Sequence, residues 1–455
     1  MRVHLIAVGG SAMHNLALAL HYNHHTVTGS DDEIYNPARD RLIKAGLFPS
    51  KMGWDENRIT KDIDAIIVGM HARKNNPELK RAQKLKLKIY SYPEYLYECS
   101  KNKTRVVVAG SHGKTTTTSM IMHVLNYHQI DFDYLVGAQL DGFERMVRLS
   151  KAPLIIIEGD EYLSSPIDLR PKFLHYKPHV AIITGIAWDH INVFPTFRKY
   201  LKQFSLFAQS MNSKGRLFYY EKDPHLPKIL SNKKINTKST PYTAFDAILK
   251  KNKTVLISAS GKKIPLKIFG DHNLQNLKAA YLACSEIGIS EDQFFEAIKQ
   301  FKGAAKRLQL LARNKNAIAY QDFAHAPSKA KATIEAFKTQ FSKRQLVACL
   351  ELHTFSSLNK QFLKEYQGTM EEADKAFVFF SEHTLKMKKL PPITVEEVEQ
   401  AFAHHNLKVI VNDNQKLIRA LKRFKWIDKN LLLMSSGTFG GLDLKQVSKD
   451  CLANK

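Results

Sequence analysis

A lysine and a hydroxyl side by side at the mouth of a helix are the means by which many chains hold a polyphosphate. The run Val106-Val-Val-Ala-Gly-Ser-His-Gly-Lys-Thr-Thr-Thr-Thr118 sets them there. Its valines read as a buried strand, a glycine-bracketed turn follows, and Thr115–Val124 reads as the opening of a helix. That order aims a row of backbone N–H groups and the positive end of a helix dipole at one spot. Lys114 adds a point charge that reaches β- and γ-phosphates, and Thr115 offers its hydroxyl to Mg²⁺. In the eight-residue phosphate-loop pattern the first glycine falls on Val108, so Gly110-x-x-Gly113-Lys114-Thr115 carries the reading. The competing interpretation is an ordinary strand–turn–helix junction that happens to contain a lysine.

A nucleoside triphosphate site also needs a carboxylate near the end of a neighbouring strand to hold its metal. Leu154-Ile-Ile-Ile-Glu158-Gly-Asp160-Glu161 is an apolar strand that ends in acids. A second apolar strand, Val180–Thr184, leads to Trp188-Asp189-His190, making His190 a candidate ligand for a metal or a phosphate. A solvated strand end and a surface histidine are the plainer readings of these two features.

These residues have to be positioned by an α/β framework. In the first hundred residues, strands are expected at Val3–Val8, His25–Gly29 and Ala65–Gly69, with helices at Met13–His21, Asp40–Ala45 and Pro77–Leu85. Such alternation predicts a parallel sheet covered by helices, with ligands beyond the carboxyl ends of the strands. The polar stretch Ser100–Thr104 marks a first boundary. The lysine- and asparagine-rich region 212–270, with short runs such as Thr254–Ala259, reads as a small antiparallel excursion. Helical periodicity returns at Asn273–Ile287, and a second boundary falls near Lys302-Gly303. Strands are then expected at Ala317–Gln321, Gln345–Glu351, Lys375–Phe380, Lys408–Val411 and Asn430–Met434. The resulting expectation is three α/β domains, over residues 1–101, 102–302 and 303–455.

Bulk properties narrow the class. A chain of 455 residues is too long for one core. A hydrophobic content of 44% with 24% charged residues is ordinary for a globular protein. Its four cysteines, Cys99, Cys284, Cys349 and Cys451, form no Cys-x-x-Cys pair, which fits reduced thiols in a cytoplasmic protein. No stretch approaches the length of apolar residues needed to cross a bilayer, and no leader is evident, so membrane insertion is not expected. The net charge of +25 suits a polyanion, but its lysines are scattered rather than gathered into a stripe, so no nucleic-acid partner is expected.

Six separated motifs occur in the order found in the Mur ligases, and the chain resembles that family over nearly its whole length. They are Gly110-Ser-His-Gly-Lys-Thr115, Glu158-x-Asp-Glu161, Asp189-His190, Asn273-x-x-Asn276, Lys306-Arg307 and Asp322-Phe-Ala-His325. The resemblance implies a Rossmann-like N-terminal domain for a UDP-sugar, a central phosphate-loop ATPase domain and a Rossmann-like C-terminal domain for the incoming amine. It also implies an ATP- and Mg²⁺-dependent amide ligase, with two ions in some schemes. The lactyl carboxylate of UDP-N-acetylmuramate would attack the γ-phosphorus, and an amine would then displace phosphate from the acyl phosphate. Four stretches resemble the branch that takes the tripeptide L-Ala-γ-D-Glu-meso-diaminopimelate in peptidoglycan recycling. These are Gly29-Ser-Asp31, Gly69-Met-His-Ala-Arg73 leading to Asn76-Pro-Glu78, Asp168–Tyr176 and Met434–Gly441. The L-alanine-adding branch of peptidoglycan biosynthesis is the alternative.

Carried over residue by residue, the resemblance gives Lys114, Glu158 and His190 catalytic roles. Gly110, Ser111, His112, Gly113, Lys114, Thr115 and Thr116 would cradle the ATP phosphates. Asn273 and Asn276 would read the adenine, and Arg307, Asp322 and His325 would close on the nucleotide. One Mg²⁺ would be held by Thr115 and Glu158, and a second metal by His190. The UDP-sugar would lie on Gly10, Ser11, Ser30, Asp31, His71 and Arg73, and the peptide on Arg170, Ser436, Thr438 and Phe439. The chain departs from the family pattern at Ser111, where a threonine is usual, and at Ala326, where close relatives carry a second histidine. Glu351-Leu-His-Thr-Phe-Ser356 matches neither branch. No lysine stands in Phe204–Phe207 for the carbamylation used elsewhere in the family, although Lys202 is near. Two readings outside the family are a dinucleotide-dependent oxidoreductase, from the first glycine turn with Asp31, and a basic nucleic-acid-stimulated ATPase.

Overall fold

The computed structural model describes residues 1–140, 142–250, 253–258 and 261–453. They fold as α/β structure in two compact units. The first comprises Met1–Ile186, Arg198–Thr243 and Ala279–Phe294, and the second Ala187–Phe197, Ala244–Lys278 and Phe295–Lys455.

The first unit holds two parallel sheets. The smaller has the spatial order Thr26–Ser30, Arg2–Ile6, Ala65–Val68, Ile89–Ser91. Arg2–Ile6 lies between its two successors, with Ile6 opposite Ser30 on one side and Val68 on the other. The chain therefore leaves its first strand in both directions, and the crevice above that strand is where such sheets bind ligands. The turn after it, Ala7–Gly10, and the turn after Ala65–Val68 face that crevice. Two elements missing from the sequence reading finish this sheet: the strand Ile89–Ser91 and the helix Tyr92–Ser100. The helix begins with a capping box, in which Ser91 and Glu94 satisfy each other's exposed ends.

The larger sheet has seven strands, in the order Lys238–Tyr242, Arg216–Tyr220, Val180–Ile183, Thr104–Ala109, Leu154–Glu158, Asp133–Leu135, Val147–Arg148. Only the last pairing is antiparallel. Thr104–Ala109 sits at its switch point, with Val106 opposite Ile156 on one side and Val180 on the other. All three central strands are continuous apolar runs, as a sheet covered on both faces requires.

The region 212–270 corrects the sequence reading in part. Arg216–Tyr220 and Lys238–Tyr242 are parallel strands that extend the large sheet, not members of an antiparallel excursion. The polar composition of Lys238–Tyr242, the exposed edge, carries no apolar run to mark it, and Arg216–Tyr220 is a short run of five residues. The antiparallel part is confined to Ala247–Lys250, Lys253–Ile257 and Lys263–Pro265. The expected run Thr254–Ala259 begins in the middle strand; Ala259 lies outside the described residues.

In the second unit a six-stranded sheet has the order Gln309–Arg313, Ile318–Asp322, Lys429–Met434, Gln345–Leu352, Lys375–Phe380, Leu407–Val411. Its first pair is antiparallel and the rest parallel. Period-two alternation divides its core. Leu346, Ala348, Leu350 and Leu352 pack on one face with Phe337, Tyr366 and Phe402, and Val347 and Cys349 on the other with Trp426, Leu431 and Phe439.

Candidate nucleotide and substrate sites

The turn after Thr104–Ala109 is shaped by its neighbours. Gly110 has φ +128°, and a Cβ there would press on the Thr184 hydroxyl and lie 2.9 Å from its nitrogen. Ser111 N–H donates to Gly185 O at 2.9 Å, and the Thr184 hydroxyl donates to Ala109 O at 3.1 Å and also to His112 O. Gly113, at φ +77°, sets the start of the helix Lys114–Tyr127. Only glycine takes these two left-handed positions without strain.

Lys114 Nζ donates to Gly110 O at 2.6 Å and to Glu161 Oε2 at 2.7 Å. Burial disfavours its charge, but Glu161, Asp160 and Glu158 outweigh that and hold the ammonium above the ordinary lysine range. The Thr115 hydroxyl donates to Glu158 Oε1 at 2.9 Å, while Gly137 N–H donates to Glu158 Oε2 at 2.9 Å. A hydroxyl and a carboxylate oxygen held together are hard donors of the type that Mg²⁺ takes.

Two residues outside the sequence-derived site join this network. Tyr200 Oη contacts the Ser111 hydroxyl at 2.8 Å and donates to Glu161 Oε1 at 2.9 Å. Glu161 thus receives Lys114 on one oxygen and Tyr200 on the other, deep in the unit. Glu161 was visible in the acidic motif; Tyr200, on a helix far along the chain, had no local signal.

At the smaller sheet, Gly9 N–H donates to Asp31 Oδ2 at 2.6 Å, and Asp32 N–H to Asp31 Oδ1 at 3.0 Å. Burial is the main influence on Asp31 and pushes its carboxyl up to about 6, with Asp32 adding to the rise and the Gly9 N–H opposing it. Gly10 lies against His71, whose ring atoms would stand 3.7 Å from a Cβ at position 10. Ser11, His71 and Arg73 are exposed around this crevice. Ser30, in contrast, is fully buried and gives its hydroxyl to Glu78 Oε2, which His4 Nε2 also approaches at 3.4 Å. Its side chain belongs to a structural cluster.

Arg170 lies on the hairpin Leu163–Ser165 with Asp168–Pro171, and its guanidinium is exposed.

The second unit carries the remaining candidates. His190 has φ +54°, and its N–H donates to Asp189 Oδ1 at 2.8 Å. Asp189 Oδ2 lies 3.5 Å from Lys329 Nζ. Burial works against the Asp189 charge, but Lys329, His190 and His325 hold its carboxyl far below the usual range. His325 Nδ1 lies 2.8 Å from Phe323 O, and burial, aided by Lys329, pushes its imidazole down to about 3. It is a neutral ring. Arg307 stacks over the Phe323 ring at 4.3 Å. Asp322 is committed to the backbone: its oxygens accept from Leu308 N–H and Ala324 N–H, each at 2.7 Å. It shapes the Arg307 turn. Asn273 and Asn276 are buried on the helix Asp271–Glu286, with Asn273 Nδ2 donating to Phe269 O at 2.8 Å.

The turn after Lys429–Met434 mixes roles. Thr438 is exposed, and Ser436 Oγ is buried without a hydrogen-bond partner. Phe439 is fully buried against Phe379, with ring centroids 6.0 Å apart, so its ring is core and not a surface for peptide. Glu351 holds this turn, accepting from the Ser435 hydroxyl and from Phe439 N–H at 2.8 Å.

Residues 2–104 match the catalytic domain of the Mur ligase family, and residues 108–284 match the Mur ligase middle domain. The UDP-N-acetylmuramate–L-alanine ligase of Clostridium kluyveri is 31% identical over 82% of each chain. The UDP-N-acetylmuramate–L-alanyl-gamma-D-glutamyl-meso-2,6-diaminoheptandioate ligase of Escherichia coli is 26% identical over 100% of this chain and 99% of its own. A solved murein peptide ligase from Psychrobacter arcticus superposes with TM-score 0.66, covering 100% of this chain and 99% of that one at 23% identity. The chain belongs to the Mur ligase family, the ATP-dependent ligases of peptidoglycan synthesis, and has their α/β architecture.

Proposed function

We propose that this ligase joins the lactyl carboxylate of UDP-N-acetylmuramate to the L-Ala amine of L-Ala-γ-D-Glu-meso-diaminopimelate, serving peptidoglycan recycling in the cytoplasm. The observation that carries this reading is the end-to-end match to the relative named for that tripeptide; the match to the L-alanine ligase covers 82% of each chain. The higher identity of the L-alanine ligase, 31% against 26%, favours the second reading, addition of L-alanine.

In this proposal Lys114 and the N–H groups of Gly110–Thr116 bind the ATP phosphates. Glu161 and Tyr200 hold the ammonium ready, so little reorganisation is needed when an anion arrives. Thr115 and Glu158 would hold one Mg²⁺ and His190 a second metal, and these would supply charge neutralisation as the carboxylate meets the γ-phosphate. The carboxylate displaces ADP from the γ-phosphorus to give an acyl phosphate, which the amine then attacks, losing a proton as phosphate leaves. Asn273, Asn276 and Arg307 would contact the nucleotide, with Asp322 positioning Arg307. Asp31, Gly10, Ser11, His71 and Arg73 would hold the UDP-sugar. Arg170, Ser436 and Thr438 are offered to the peptide. The division into domains at 101 and 302 is part of the same proposal; the break between the two family matches, at 104 and 108, lies near the first of these boundaries.

The test is phosphate release with ATP, Mg²⁺ and UDP-N-acetylmuramate, comparing L-alanine with the tripeptide. Release with the tripeptide, with the joined product identified by mass, is expected. Release with L-alanine alone overturns the recycling assignment in favour of the second reading.

A further inference from the structure

Glu94, Asp168 and His175 bring one ligand atom each to within 4.8 Å of one another, away from the phosphate loop. Glu94 comes from the first turn of the helix Tyr92–Ser100, Asp168 from the hairpin strand Asp168–Pro171, and His175 from the helical turn Lys172–His175 that follows it. The imidazole is the informative member. Its side chain is 5% exposed, and Nε2 is buried with no hydrogen-bond partner. Asp168 Oδ2 nonetheless lies 3.1 Å from it.

A nitrogen and a carboxylate oxygen that approach this closely without forming a hydrogen bond point their lone pairs past each other. Donors around a metal do the same, because each faces the ion and not its neighbour. Bonds of about 2.0–2.2 Å to nitrogen and oxygen donors in a tetrahedral site leave those donors about 3.3–3.5 Å apart, near the 3.1 Å between His175 and Asp168. An imidazole ligates a metal through its neutral form. Both carboxylates are already held. Glu94 Oε2 accepts from Ser91 N–H and its hydroxyl, each at 2.8 Å, and Asp168 Oδ1 accepts Arg170 N–H at 3.0 Å.

One cation is present already. The Arg170 guanidinium reaches Asp168 at 2.7 and 2.9 Å and Glu94 at 3.3 Å. It is also the most exposed member of the group, with 61% of its side chain in solvent, so it can turn outward without opening the core. Two carboxylates and a neutral imidazole balance a divalent ion in its place.

We propose that Glu94, Asp168 and His175 form a binding site for a divalent transition metal of the zinc class, which replaces the Arg170 guanidinium. A nitrogen donor with two carboxylates suits that class better than Mg²⁺, which prefers oxygen alone. The ion links the helix after Ile89–Ser91 to the hairpin after Leu154–Glu158. This inference is independent of which amine the enzyme uses.

The test titrates Zn²⁺ into the chelator-treated full-length protein at millimolar Mg²⁺, by calorimetry, with Co²⁺ absorption as a second readout. Wild type is expected to bind one equivalent at this site. His175→Ala and Asp168→Asn should weaken that binding at least tenfold, while Arg170→Ala, which removes the competing cation from an exposed position, should tighten it. Arg170→Ala alters no buried group, so its result stands even if His175→Ala folds poorly. Binding that survives His175→Ala and Asp168→Asn unchanged overturns the site. So does absence of binding by the wild-type protein, or weaker binding by Arg170→Ala.

Discussion

Two turns of the first unit share a topology and differ in chemistry. Each follows a parallel strand at a switch point and opens a helix: Ala7–Gly10 before Ser11–Tyr22, and Gly110–Gly113 before Lys114–Tyr127. The second turn is built around a cation. Lys114 is held between Gly110 O and Glu161, and a hydroxyl–carboxylate pair stands beside it. The first has no lysine. Its fixed group is Asp31, an acid whose pKa burial raises to about 6 and that takes the Gly9 N–H itself. The fold supplies a helix terminus in both places, and the residues at the turn decide what it binds. A lysine locked among acids suits the arrival of a strongly anionic triphosphate. An acid that accepts from backbone suits hydroxyls and a less charged diphosphate.

The comparison breaks most readily at Lys114. Lys114→Ala should lower kcat for ATP-dependent ligation by about 10²–10³-fold or more, the cost of removing one preorganised positive group. UDP-sugar affinity measured by calorimetry should stay within a factor of two or so. If both sites lost affinity equally, the two turns would not be separate in function.

Glu158→Gln should be next, with about 10–10²-fold lower activity that is partly restored by raising Mg²⁺. The same magnesium titration on a variant at the first turn should show no such recovery.

Asp31→Asn sharpens the contrast in two ways. UDP-sugar binding should weaken by about tenfold, about 1.4 kcal/mol, with ATP binding unchanged. The pH dependence of stability should also change. Asp31 is raised in the folded state to about 6, above its unfolded value, so its contribution is fully present below about pH 4. That contribution is lost as pH rises through 6. Wild type should therefore lose on the order of 2 kcal/mol relative to Asp31→Asn between pH 4 and pH 7, read from urea midpoints.

His325 has the opposite sign. Its imidazole is lowered to about 3, so the stability it contributes is complete above about pH 6.5 and falls as pH drops toward 3. His325→Gln should flatten that acid limb of the urea midpoint curve.

The smallest effect is expected from Tyr200→Phe. It removes the phenol that joins Ser111 to Glu161 and leaves Lys114 in place, costing about 1 kcal/mol of stability and a few-fold in the KM for ATP. A change as large as that of Lys114→Ala would make Tyr200 a direct ligand of the nucleotide.

Where residue type, spacing and local periodicity determine the outcome, the sequence was sufficient. The three parallel-sheet regions, the strand–turn–helix at Lys114, the acids that end Leu154–Glu158 and the six ordered motifs were all legible, because each component strand, turn or motif is written within a dozen consecutive residues. The outer strands Arg216–Tyr220 and Lys238–Tyr242, the second of them the sheet's edge, were not, since their pairing partners make them strands. Tertiary structure alone decided which polar groups are spoken for. It turned Ser30 toward Glu78, gave Asp322 to the backbone of Leu308 and Ala324, and put the Phe439 ring in the core. It also brought Tyr200 to Glu161, and Glu94 to Asp168 and His175. Hydrogen-bond partners distant in sequence leave no periodic trace, so only the folded chain brings them together.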